Sequence, residues 1–165
     1  MARIDFHSNV ADKLEYACRL TRKIWSATPA GQPVRNIVMV GESADLKKLD
    51  ELLWTFSASD FLPHCFIDDE AAVETPIVLA DDFASPALAS IPHADVMIHL
   101  GMHMPKDVSA LTARFPRIVE VVTVNDAERL AGRERFKAYR DLGHELHNFD
   151  QSKSCLLYTS PSPRD

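Results

Sequence analysis

The chain has 165 residues, 46% of them apolar and 25% charged, and 18 Lys and Arg against 24 Asp and Glu give a formal net charge of −6. This length predicts one globular domain with a sizeable core. No apolar stretch approaches the roughly 18 residues of a membrane span, and the charged start MARIDFHSN lacks the apolar core of a secretory signal. We therefore expect a cytoplasmic protein with no membrane partner. The acidic balance disfavours direct contact with phosphate backbones.

The C-terminal segment has no periodicity that links it to the preceding sequence. Residues Cys155 to Asp165 read CLLYTSPSPRD, and one back-translation of them resembles a transposase sequencing adapter read through in frame. We therefore divide the chain into an α/β domain over residues 1–150 and a non-native or disordered tail over residues 151–165. Without the tail, Cys18 and Cys65 remain, and the absence of a CxxC spacing indicates a reduced compartment and argues against disulfides or a zinc site.

The first half of the chain predicts a strand, helix, strand, helix order. Ile4 to His7 is a short apolar strand, and Val34 to Val40 forms a second apolar run. Between them we expect a helix capped by Asn9, with apolar positions at helical spacing: Val10, Leu14, Ala17, Thr21 and Ile24. Gly41 and Ser43 open a second helix, whose apolar positions are Leu46, Leu49, Leu53 and Phe56.

The second half predicts further buried strands. After an irregular stretch from Ser57 to Thr75, three short apolar runs follow: Ile77 to Ala80, Asp95 to Leu100 and Ile118 to Val124. Runs of this length without polar alternation are typical of parallel strands covered on both faces. The pattern predicts a three-layer, Rossmann-like α/β domain with a mostly parallel central sheet flanked by helices.

A nucleotide site is the first chemistry to consider, because the turn Val40-Gly41-Glu42-Ser43 leads from a strand into a helix. The turn has one glycine where the dinucleotide fingerprint needs three, and it lacks the Lys-Ser/Thr pair of a Walker A loop. Glu42 also places a negative charge where a phosphate would bind. We interpret Gly41 and Ser43 as an ordinary turn and helix cap, and we expect no cofactor.

The seven histidines form no convincing metal or catalytic pattern. His99 and His103 are four residues apart, but Gly101 interrupts any helix that would align them, so we read them as a strand histidine and a loop histidine. His64 and Cys65 are adjacent, and adjacent side chains on an extended chain point to opposite sides. With no GxSxG motif present, we expect neither a metal site nor catalytic residues.

The last predicted helix, Asp126 to Leu142, has acidic residues in its first turn and Gly143 just after its end. Successive residues of a helix are roughly 100° apart, which places four small or apolar residues on one face, and we expect this face to be buried. Its members are Ala127, Ala131, Ala138 and Leu142. The opposite face carries four cations around an aromatic ring that we expect to face solvent. This basic stripe consists of Arg129, Arg133, Phe136, Lys137 and Arg140. An acidic peptide with a hydrophobic anchor fits it best, and single-stranded nucleic acid stacking on the ring is an alternative.

A second unusual segment runs from Leu53 to His64 and contains Trp54, Phe56 and Phe61. Trp54 lies about 100° away from the Leu46, Leu49 and Leu53 face of its helix. Trp54 and Phe61 are therefore predicted to form an exposed aromatic patch, which is typical of a protein interface.

These segments resemble a known family. Leu52-Leu53-Trp54, Phe61-Leu62-Pro63-His64 and the run Arg133 to Arg140, together with Ile4-Asp5-Phe6 and Lys13-Leu14-Glu15, are similar to the chi subunit of the bacterial DNA polymerase III holoenzyme. The similarity covers about residues 1–150, although Asp81 to Leu111 matches poorly. It implies a non-catalytic accessory protein of the clamp-loader complex, with a Rossmann-like fold that does not bind nucleotides.

The resemblance also implies partners and their binding residues. Chi subunits bind the psi subunit, and through it the clamp loader, and they bind the acidic, Phe-terminated C-terminal tail of single-stranded-DNA-binding protein, which links them indirectly to DNA. The tail-binding positions fall on Arg129, Arg133, Phe136 and Lys137, with Val122 as an apolar wall. Phe136 departs from the Tyr of well-known members, so only ring packing is retained there. The psi-binding positions fall on Trp54 and Phe61. The alternative functions are a nucleotide-binding enzyme and a direct single-strand binder.

Overall fold

The computed structural model describes residues 2–27, 35–55, 62–83 and 86–152. Their strands are β1 (Arg3–Val10), β2 (Ile37–Val40), β3 (His64–Phe66), β4 (Ile77–Ala80), β5 (Val96–His99), β6 (Arg117–Thr123) and β7 (Glu145–Asp150). Their helices are α1 (Lys13–Ser26), α2 (Ser43–Thr55), α3 (Pro86–Ala89), α4 (Val108–Arg114) and α5 (Asp126–Asp141), with a 3-10 helix at Glu70–Val73. The tail at residues 155–165 lies outside these ranges, and its interpretation stays a prediction.

The seven strands form one parallel sheet in the order β3-β4-β2-β5-β6-β1-β7. One core lies between the sheet and helices α1 and α2, and a second core lies between the other face of the sheet and helices α3, α4 and α5. The predicted three-layer α/β architecture is therefore confirmed. Among the described residues, no helix has the length and apolar character that a membrane span requires.

The central strands form where the apolar runs predict them. β4 has the predicted bounds, and every residue of β2, β4 and β5 is buried because helices cover both faces of the sheet. β3 and the 3-10 helix lie within the stretch that is predicted to be irregular. β7 was also not predicted, because its sequence ELHNFD is polar and only half buried at the edge of the sheet.

The start of α1 differs from the prediction. Asp12, not Asn9, is the N-cap, and its side chain accepts a hydrogen bond from the amide of Glu15. β1 instead continues to Val10, and Asn9 adopts a left-handed backbone with a φ of 56°. The β1–β6 register shifts between His7 and Val10, so a bulge occupies the position where the sequence predicted a cap.

Helix α5 has nearly the predicted bounds, with Asn125 as N-cap and Gly143 at a φ of +83° immediately after the C-cap. The prediction of its buried face was wrong. Ala127 and Leu142 are exposed, and Ala131 and Ala138 are only partly buried. The buried residues are Gly132, Arg135 and Tyr139, because a buried carboxylate on the sheet provides polar partners for the last two.

Candidate functional site

A cavity of about 310 Å³ lies between α5 and strands β1, β6 and β7. Its lining residues are Phe6, Ser8, Asn9, Val122, Arg129, Gly132, Arg133, Phe136 and Asn148. The structure thus brings together four of the five residues predicted for tail binding. Lys137 is exposed on α5, four residues after Arg133, and does not line the cavity. The volume is at the lower end of the roughly 300–1,000 Å³ of small-ligand pockets, which suits one side chain rather than a large cofactor.

Two arginines form the cationic wall of the cavity. Arg129 and Arg133 are both exposed and one helical turn apart. Arg129 Nη1 is 3.8 Å from Asp126 Oδ1, a loose surface pair, whereas Arg133 forms no ion pair with any described residue. Both guanidinium groups are therefore available to an incoming carboxylate on a chain whose net charge is negative.

The floor of the cavity is apolar. Phe6 and Val122 are buried on the sheet, and the rings of Phe6 and Phe136 meet edge to face with centroids 5.2 Å apart. The prediction that Phe136 faces solvent was wrong, since it packs partly buried against the second core. The Phe136 side chain thus packs against the core and also lines the cavity.

Gly132 lies where α5 packs closely on β6 at the lining of the cavity. A Cβ atom at this position would lie 2.9 Å from Val122 Cγ2 and 3.3 Å from Val122 Cγ1. The missing side chain therefore allows α5 to lie close to β6. Sequence reasoning overlooked Gly132, although a glycine inside a helix costs about 1 kcal/mol relative to alanine and signals a packing or functional reason.

A buried polar network anchors α5 beneath the cavity. Glu120 on β6 is fully buried. Its Oε1 accepts hydrogen bonds from Arg135 Nε at 2.8 Å and from His99 Nδ1 at 2.7 Å. Its Oε2 accepts a hydrogen bond from the Tyr139 hydroxyl at 3.0 Å. Arg135 also donates to the carbonyl of Met102. Burial alone raises the pKa of a carboxyl, but His99 and Arg135 outweigh it and hold the pKa of Glu120 below its ordinary value.

This network was not predicted, although Glu120 interrupts an otherwise apolar strand. A carboxylate inside a buried strand requires a partner, so the signal was present in the sequence. His99, which the sequence assigned to a strand, is one of the partners, while His103 lies in an exposed loop. Within the described ranges, no group of three or more His, Cys, Asp and Glu side chains is placed to hold a metal ion.

The second predicted surface lies at the other edge of the sheet. Trp54, near the end of α2, is 54% exposed and packs against the His64 ring with centroids 4.7 Å apart. His64 is buried on β3, where its Nδ1 is 2.6 Å from the carbonyl oxygen of Leu62 and its Nε2 is 3.0 Å from Asp50 Oδ1. Phe61 lies outside the described residues, so its place beside Trp54 stays a prediction.

The turn considered for nucleotide binding is shaped by packing. A Cβ on Gly41 would lie 3.2 Å from the Cβ of Leu100, so the close approach of the β2 and β5 ends favours glycine there. Glu42, immediately before α2, has its carboxylate 3.6 Å from the His103 ring. Cys65, next to His64, packs against the second core. Burial raises the pKa of its thiol, which does not suit a reactive cysteine.

The remaining lining residues were not predicted because they come from separate parts of the chain. Ser8 and Asn9 lie at the end of β1, and Asn148 lies on β7, which pairs with β1 at the sheet edge. Only the pairing of strands that are 140 residues apart in sequence brings these side chains to α5.

Comparison with known proteins shows similarity to one family throughout the domain. The family described as "DNA polymerase III chi subunit, HolC" matches residues 1–147. The chain is 29% identical over 154 residues to the DNA polymerase III subunit chi of Pseudomonas aeruginosa, covering 90% of this chain and 96% of the relative. It is 26% identical over 132 residues to the subunit chi of Haemophilus influenzae, covering 80% and 83%, and 25% identical over 133 residues to that of Escherichia coli, covering 81% and 82%. The chain therefore belongs to the chi subunit family of DNA polymerase III.

Proposed function

We propose that this protein is a non-catalytic accessory subunit of the replicative polymerase, which connects the psi subunit in the clamp-loader complex to single-stranded-DNA-binding protein. The observation that carries the proposal is the cavity itself, because two arginines and an apolar floor line the same small space. A peptide that ends in an aromatic residue and carries acidic side chains has the matching chemistry.

In this proposal the terminal aromatic side chain of the tail enters the space above Phe6 and Val122, beside Phe136. The terminal carboxylate pairs with Arg133, and acidic side chains earlier in the tail pair with Arg129 and Lys137. Exposed ion pairs contribute only about 0.2–1 kcal/mol each, so the contact is of moderate affinity and weakens as salt is added. Such a contact forms and releases repeatedly, as a tether to a moving template requires.

In this proposal Trp54 and the cavity are far enough apart to serve two partners at once. Trp54 packs against His64 on β3 at one edge of the sheet, and the cavity lies beside β1 near the other edge. Five strand spacings separate β3 from β1, which corresponds to about 24 Å. This separation supports simultaneous binding of psi and of the tail.

Titration calorimetry with an acidic, Phe-terminated peptide tests the tail site. We expect Arg133→Ala to weaken binding and to reduce its salt dependence. Arg19→Ala is the matched control, because Arg19 has the same charge at an exposed position of α1, on the other face of the sheet, and does not line the cavity. Equal losses in both variants would show that net charge, not the cavity, governs binding and would refute the site.

The psi surface requires a separate measurement. We expect Trp54→Ala to abolish or strongly weaken co-elution with psi and to leave the peptide affinity unchanged. Leu142→Ala, which removes a side chain of similar exposure at the end of α5, should affect neither partner. Normal association of the Trp54 variant with psi would exclude this surface.

The alternative functions have different signatures. A direct single-strand binder would bind bare oligonucleotides with a steep salt dependence, and a nucleotide-binding enzyme would gain thermal stability from a nucleotide. We expect neither effect. A nucleotide-induced rise in melting temperature together with no peptide binding would replace this proposal.

A further inference from the structure

The cavity has a second, uncharged wall opposite its arginines. Ser8 and Asn9 from β1 and Asn148 from β7 line this side. None of these side chains carries a charge, so they are poor partners for carboxylates compared with Arg129 and Arg133. Their hydroxyl and carboxamide groups match neutral acceptors and donors instead.

The backbone of β1 is shaped to present this wall. Consecutive side chains of a regular strand point to opposite faces, yet Ser8 and Asn9 both line the cavity. The register shift between His7 and Val10 and the left-handed φ of 56° at Asn9 account for this arrangement. Bulges that redirect a side chain are common beside binding and active sites. Asn9 is held in place by a hydrogen bond of 2.9 Å from its Nδ2 to Asp150 Oδ1.

Asn148 is the donor on this wall. The Ser8 hydroxyl donates to Asn148 Oδ1 at 3.0 Å, which engages one of the two lone pairs of this oxygen and orients the carboxamide. Within the described chain, the Asn148 Nδ2 group donates no hydrogen bond. Asn148 is exposed at the lining of the cavity, so its oriented amide group is accessible to a bound molecule and can donate a hydrogen bond to it.

From this geometry we infer that Asn148, held by Ser8, is a specificity-determining residue that donates from Nδ2 to a main-chain carbonyl of the bound peptide. This inference rests on the proposed function. The charged groups of the peptide pair with the arginine wall, where charge-assisted bonds are strongest. The neutral donor on the opposite wall then selects an extended main chain and fixes the depth to which the terminal ring enters.

The experiment is calorimetry with the acidic, Phe-terminated peptide on the full chain and on single variants. We expect Asn148→Ala to weaken binding about 3- to 10-fold, the range for loss of one neutral hydrogen bond, without changing the salt dependence. Ser8→Ala should weaken binding less, and it should have no further effect in the Asn148→Ala background. His147→Ala is the control, since it lies on the same strand and faces the opposite side of the sheet, in register with Asp5.

A modified peptide identifies the acceptor. Replacing the main-chain carbonyl oxygens of the last residues by sulfur, one at a time, weakens an acceptor without changing charge. At one position we expect the sulfur substitution to lower the affinity of the peptide for the native protein. The same substitution should not lower the affinity for the Asn148→Ala variant. If Arg133→Ala weakens binding while Asn148→Ala has the native affinity, or if no sulfur position couples to Asn148, the inference is overturned and the proposed function stands. If no peptide binds the native protein, the proposed function itself has failed.

Discussion

Replacing Gly132 by alanine tests whether α5 packs closely on Val122 of β6 beside the cavity. At an open position inside a helix, this change stabilises a protein by about 1 kcal/mol, because alanine has the higher helix propensity. Here the new Cβ would lie 2.9 Å from Val122 Cγ2. Valine is stiff about χ1 and Val122 is buried, so the helix must shift, and overpacking of this kind costs about 1–3 kcal/mol. We therefore expect Gly132→Ala to leave stability unchanged or to lower it by up to about 2 kcal/mol.

The double variant separates the clash from the gain in helix propensity. Val122→Ala removes both methyl groups that the new Cβ would meet, at a transfer cost of about 1.5 kcal/mol. In that background Gly132→Ala should stabilise by about 1 kcal/mol, which gives a coupling free energy of about 1–3 kcal/mol in a double-mutant cycle. Urea unfolding followed by circular dichroism measures all four proteins. A stabilisation of about 1 kcal/mol by Gly132→Ala in the native background would refute the packing argument.

Three further substitutions test other contacts. Arg135→Met should destabilise the protein by about 3–5 kcal/mol in urea unfolding, because it leaves Glu120 buried with fewer partners. Arg133→Met, at an exposed position of the same helix, should change stability little. Equal losses of stability in the two variants would contradict a stabilising role of the buried network. Burial lowers the pKa of His7 to about 4, so the unfolded state binds the extra proton between pH 6.5 and 4 and stability falls as pH decreases through that window. We expect about 2 kcal/mol of this loss between pH 7.5 and 5, and a His7→Phe variant should lack it; an unchanged pH profile would exclude His7 as the cause. Asp12→Ala should cost about 1 kcal/mol through loss of the α1 cap, measured as a lower melting temperature, and no change would show that the cap is dispensable.

The pattern of the sequence was sufficient for the strands that are buried on both faces and for the two ends of α5, but not for the start of α1, where Asp12 and not Asn9 is the N-cap. Central strands such as β2 and β4 are continuous apolar runs because helices cover both sides of them, so their positions can be recognised from the sequence alone. The ends of α5 were also predictable, since the acidic first turn and the glycine at a positive φ act within a few residues. The two arginines and Phe136 of the cavity were identified from helical spacing and from the family resemblance.

Tertiary structure decided the features that depend on pairing between distant segments. The polar strand β7 forms only because β1 offers it an edge, and this pairing brings Asn148 to Ser8. Helical spacing assigned the small residues of α5 to the core, but the carboxylate of Glu120 draws Arg135 and Tyr139 inward instead. Spacing along one helix gives the relative directions of its side chains. Which direction is buried depends on the chemistry of the surface against which the helix packs, and that surface comes from strands far away in the sequence.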